Sequence, residues 1–173
     1  MQDLATEARN TAASAALDTL AGKYLTFELD NEVYGLGILK VQEIIGMMNV
    51  TRVPKTPDYV RGVINLRGKV IPVIDLRLKF GMSAEQDTER TCIIVVQIAH
   101  AGSVLTTGLI VDQVSEVLNI NADQIEAPPA FGSSLDTDFI MAMGKVGQKV
   151  IMLLNADKIL GSGELALASQ LAQ

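Results

Sequence analysis

The side chains able to make or break bonds are few and scattered. The 173-residue chain holds one histidine, His100, and one cysteine, Cys92. Cys92 lies within the nearly continuous β-branched run of residues 91–98, the pattern of a strand buried on both faces, where a thiol serves as a small core residue. His100 falls in the turn His100-Ala101-Gly102-Ser103. A nucleophile needs its base within hydrogen-bond reach, and a zinc site needs several Cys or His ligands. There is no Gly-x-Ser-x-Gly elbow, phosphate-cradling loop or zinc spacing. Gly35-Leu36-Gly37 lacks the third glycine and the strand-to-helix context of a phosphate loop. No carboxylates are spaced so as to be forced together for acid–base work. The expectation is a protein without catalytic residues, cofactor or metal, whose chemistry is recognition.

The best recognition element is residues 61–77, RGVINLRGKVIPVIDLR. Val63-Ile64 lead into a polar centre, Arg67-Gly68-Lys69, and Val70-Ile71 and Val73-Ile74 lead out. β-branched residues favour pleated strands, and Gly68 can take the positive φ of a tight turn. This predicts a β-hairpin with Arg67 at its tip, pointing outward because it cannot shed its charge. Pro72 donates no backbone hydrogen bond, which predicts an edge strand or a bulge.

Around this hairpin the pattern is mostly β. Leu25, Phe27 and Leu29 alternate with Thr26 and Glu28, and Asp30-Asn31 turns the chain back through residues 32–38. Residues 39–47 read as a bent strand with Val41 and Glu43 on one side. Thr56-Pro57-Asp58 predicts a capped helical turn. Polar residues 81–90 predict a mobile loop or subdomain boundary. Residues 104–111 and 114–120 are strands, residues 121–125 one helical turn, and residues 139–143 and 149–154 a last hairpin around Gly147-Gln148. Asn155 caps a short helix over 156–160. About ten short strands argue for a small-barrel or sandwich architecture. Residues 1–22 read as a mobile or helical tail, 23–160 as the folded domain and 161–173 as a C-terminal helix or tail.

Composition narrows the function. The charge is −6, aromatics are 4% and Trp is absent. A nucleic-acid-binding barrel, the alternative use of such a fold, normally needs a basic groove with stacking aromatics. No run approaches the roughly 20 apolar residues of a membrane-spanning helix. The N-terminal stretch is not a secretory signal, so the default compartment is the cytoplasm.

Three motifs together resemble the CheW family, the coupling proteins of bacterial chemotaxis. They are the 61–77 stretch; Tyr34-Gly35-Leu36 with residues 38–44; and Gly108-Leu109-Ile110-Val111-Asp112 with residues 114–118. The resemblance runs from about Tyr24 to Leu160. It implies a mainly β fold of two packed, five-stranded, SH3-like barrels, possibly with interleaved strands. It implies a non-catalytic adaptor docking on the cytoplasmic hairpin tip of chemoreceptors and on the regulatory domain of the histidine kinase CheA. Mixed rings with other coupling-protein copies are a further implication. Val41, Glu43, Gly62, Arg67, Gly108 and Val117 match family positions tied to receptor contact, and Phe131 a loop aromatic expected to face the kinase. Glu126 stands where relatives can carry a basic residue.

Overall fold

The computed structural model describes residues 19–83, 86–128, 139–160, 168, 170 and 171. The N-terminal residues 1–18, the Phe131 loop and most of 161–173, for which a tail or helix was expected, lie outside the described residues.

Among the described residues, β-rich runs and tight turns build eleven strands: β1 (Gly22–Leu29), β2 (Glu32–Gly37), β3 (Val41–Gly46), β4 (Val60–Leu66), β5 (Lys69–Asp75), β6 (Cys92–His100), β7 (Ser103–Val111), β8 (Gln113–Ile120), β9 (Ile125–Glu126), β10 (Ile140–Val146) and β11 (Lys149–Leu154). Three hairpins turn on consecutive positive-φ pairs, Asp30-Asn31, Arg67-Gly68 and Ala101-Gly102. Such pairs match the right-handed twist of their strands.

The strands form two sheets, ordered β8-β1-β2-β11-β10-β9 and β3-β6-β7-β5-β4. The first has six strands rather than the expected five, because two-residue β9 adds to its edge. The first two strands join the late ones, so the sheets interleave along the chain. β11 lies parallel to β2, and β5 parallel to β7.

Each sheet covers its own small core. Tyr24, Ile120, Ile125, Ala142, Ile151 and Leu153 fill the first, and Ile64, Ile71, Val73, Ile93, Val95 and Ile110 the second. A larger core lies between the sheets, built on Phe27, Leu36, Ile74, Ile94, Val96 and Leu109 among others. β6 shows the consequence: Ile93 and Val95 face one core, Ile94 and Val96 the other. A strand buried on both faces reads as an unbroken apolar run.

Local readings change in four places. Pro72 sits in an interior strand, β5, between β4 and β7. Its opposite residue, Val63, exchanges both backbone hydrogen bonds with Thr51, so Val63–Pro72 is a non-hydrogen-bonded pair. The pairing with β7 begins only at Val73, and the missing N–H costs nothing. Thr56 caps no helix: its hydroxyl donates to the Val53 carbonyl (2.8 Å), and residues 57–60 form a single turn closed by Val60 N–H to Pro57 O (3.0 Å). The 81–90 segment is tied down where it is described, through Asp87. Residues 38–40 form a 3-10 turn ahead of β3 instead of extending the strand.

Candidate functional site

The β4–β5 hairpin presents Arg67 as its sequence suggests. The Asn65 side-chain carbonyl accepts from Gly68 N–H (2.8 Å), closing the turn. The Arg67 side chain is 67% exposed and pairs with Glu43 on β3. Glu43, hydrogen-bonded first of all by this guanidinium, is held below the usual carboxylate range. The same contact raises Arg67 further. The pair spans sheet edges, since β4 and β3 are the two outermost strands of the second sheet.

Val41 does not share this face. Val41 opposes Val96 and Glu43 opposes Val95, so Gln42 is an extra, bulged residue. Cross-strand partners lie on one face. Val96 belongs to the core between the sheets and Val95 to the second sheet's own core. The bulge therefore sends Val41 toward the inter-sheet seam and Glu43 to the opposite side, which corrects the simple alternation expected from sequence. Bulges shift side-chain direction by one position.

Val117 stands on β8, an edge strand of the first sheet, 49% exposed and opposite Leu25 of the inter-sheet core. A second bulge positions it. Ser115 and Glu116 face the single residue Thr26, whose hydroxyl donates to Glu116 O (2.7 Å) and accepts from Glu116 N–H (3.1 Å). The buried hydroxyl replaces the ladder bonds lost at the bulge. Thr26→Val should cost about 1–3 kcal/mol in urea unfolding and speed amide exchange at Glu116, because both backbone groups lose their partner.

Gly62 and Gly108 are interior. At Gly62, with φ +145°, a Cβ would stand 2.1 Å from the Thr51 carbonyl oxygen. At Gly108 it would meet Ile93 Cγ2 at 2.8 Å. Each glycine allows a close approach that places the surface residues. Gly62→Ala should lower stability by about 1–3 kcal/mol through backbone strain and displacement of the 50–51 segment. A melting curve checks this, and any loss of partner binding should track the loss of fold.

Two charge clusters, missed in the sequence, join the sheets. Arg77, itself 2% exposed, grips fully buried Asp75 with two bonds of 3.0 Å and reaches Asp112 (3.2 Å) and Asp87 (3.1 Å). Arg61 bridges Asp75 (3.3 Å) and Asp87 (2.9 Å). Asp112, where β7 of one sheet passes to β8 of the other, also accepts from Asp30 N–H (2.8 Å) in the β1–β2 turn. Elsewhere on the seam, Asp157 holds Lys40 (2.9 Å) and Ala99 N–H (2.9 Å). The available signal was an acid closing each apolar strand, Asp75 after β5 and Asp112 after β7.

Exposed apolar residues flank the seam. Ile44 (45% exposed) opposes Ile94 of the inter-sheet core, and Leu39 is 95% exposed. The 38–40 turn touches β1 of the first sheet and β6 of the second, so it sits at the seam. Among the described residues no group of acids, His or Cys could hold a metal ion. Phe131 lies outside the described residues, and Glu126 pairs with Lys145.

This interleaved pair of sheets has relatives. The CheW-like domain family matches residues 23–164. The chain belongs to the CheW family. It is 40% identical to the chemotaxis protein CheW of Klebsiella aerogenes, over 94% of this chain and 96% of that one. It is 35% identical to the CheW of Helicobacter pylori, over 80% of this chain and 81% of the relative. The crystal structure of the scaffolding protein TtCheW from Thermoanaerobacter tengcongensis superposes with a TM-score of 0.74 at 37% identity, covering 83% of this chain and 97% of that one. In this CheW-family chain β1 and β2 belong with β8 to β11. No helix among the described residues is long and apolar enough to cross a membrane.

Proposed function

We propose that this protein is a non-catalytic adaptor joining the cytoplasmic hairpin tip of chemoreceptors to the regulatory domain of the histidine kinase CheA, in the cytoplasm beneath the receptor array. The observation that carries the reading is Arg67, exposed on a closed hairpin turn and oriented by Glu43, in a chain of this family. A receptor tip is a helical coiled coil, and helices dock by laying apolar side chains into a groove. Val41, Ile44 and Val117, on the two edge strands beside the seam, supply apolar wall. Glu43, on the opposite face of edge strand β3 from Val41, and its partner Arg67 supply opposite charges that set register more than raw affinity. Gly62 and Gly108 act from inside, holding the backbone that carries these contacts. Phe131 is assigned to the kinase side, and further copies of the chain to mixed rings with the kinase domain, where avidity multiplies modest affinities.

The test is a pull-down with a receptor cytoplasmic fragment and with the kinase regulatory domain, run separately. Both should be retained. Capture of neither would overturn the reading.

A further inference from the structure

Beside the β4–β5 turn the second sheet opens onto a cavity of about 300 Å³ whose wall includes Gln42, Leu66, Arg67, Lys69, Ile71 and Thr106. Two of its wall residues are cationic and none is acidic, although the whole chain carries −6. The two cations differ. Arg67 is matched by Glu43. The Lys69 ammonium has no carboxylate or hydrogen-bond partner among the described residues, nor does the Thr106 hydroxyl.

The wall is held in place. Lys69 opposes Leu66 across the turn, so both leave the same face of the hairpin. Gln42, the bulged residue, donates its amide to Glu43 (3.3 Å) and accepts from Gln97 (3.3 Å). The result is a short apolar floor, Leu66 and Ile71, beneath an unmatched ammonium, a hydroxyl and an amide. That combination suits a glutamate or aspartate side chain: methylenes on the floor, oxygens on the charge-assisted donors.

We propose that this cavity is a carboxylate-binding pocket with Lys69 as its charge partner, taking an acidic side chain from the helix that docks at Arg67. The identity of that helix rests on the adaptor reading; the pocket chemistry does not.

The test uses the full chain, ¹⁵N-labelled, with a pentaglutamate peptide and a pentaglutamine peptide at low salt. Pentaglutamate should give saturable shifts at Gln42, Lys69 and Thr106. Pentaglutamine should not, and Lys69→Glu should abolish them while leaving the melting curve unchanged. In calorimetry with the receptor fragment, Lys69→Glu should weaken binding about tenfold at low salt, the gap narrowing at roughly 0.5 M salt. Shifts that do not saturate, that survive Lys69→Glu or that appear equally with pentaglutamine would overturn the pocket. So would fragment affinity unchanged in the variant. A fragment that does not bind the unmodified protein, with pentaglutamate still saturating the pocket, would remove the adaptor reading and leave the pocket standing.

Discussion

Arg77→Met lowers the free energy of unfolding by about 3–5 kcal/mol, the usual cost of stripping one partner from a buried ion pair. Asp75 is fully buried and takes two side-chain hydrogen bonds from Arg77, so the variant leaves a carboxylate in the interior with only Arg61 at 3.3 Å and the backbone N–H of residue 77 at 3.0 Å. The damage reaches both sheets, because the same guanidinium holds Asp112 at the β7–β8 passage. Urea unfolding followed by circular dichroism measures it; a loss below about 1 kcal/mol would show that the cluster is not the joint between sheets. Acid gives an independent check. Arg61 above all, with Arg77, holds the Asp87 carboxyl below its ordinary value of 3.8. The folded state then releases that proton at lower pH than the unfolded chain. Its stabilisation is complete above the ordinary carboxylate range and disappears as pH falls through the depressed folded value. Stability should therefore drop below about pH 4, and less steeply in Arg61→Met.

Arg67→Ala has the opposite profile. Its side chain is two-thirds exposed and its turn is closed by Asn65 and Gly68, so the melting curve should stay in place. Binding of the receptor fragment should weaken roughly 30-fold, the loss expected of a hot-spot arginine. Glu43→Ala should weaken binding too, by freeing Arg67 from its oriented position. The two losses should not add, because each variant already breaks the one pair. A charge exchange, Glu43→Arg with Arg67→Glu, separates roles: recovered binding would mean that the pair matters only as an internal brace, continued loss that Arg67 itself meets the partner. Unchanged binding in Arg67→Ala would take Arg67 out of the site.

Local chemistry was enough for much of this molecule. Arg67-Gly68 between two β-branched runs could only turn and face water. Asp30-Asn31 and His100-Ala101-Gly102-Ser103 announced their turns, and the unbroken 91–98 run announced a strand buried twice. These features depend on neighbours a few residues away, so any reader of the chain can find them. Tertiary structure decided the rest. The direction of Val41 against Glu43, and the setting of Val117, depend on bulges, and a bulge exists only in relation to the strand opposite. Pro72 is harmless inside the sheet because Val63 spends its bonds on Thr51. Arg77 acquires its role from Asp112, 35 positions later, and from burial that turns ordinary surface charges into a joint. A strand's alternation can be written in its own residues; its register, and therefore which face reaches a partner, is set by segments brought beside it only when the whole chain has folded.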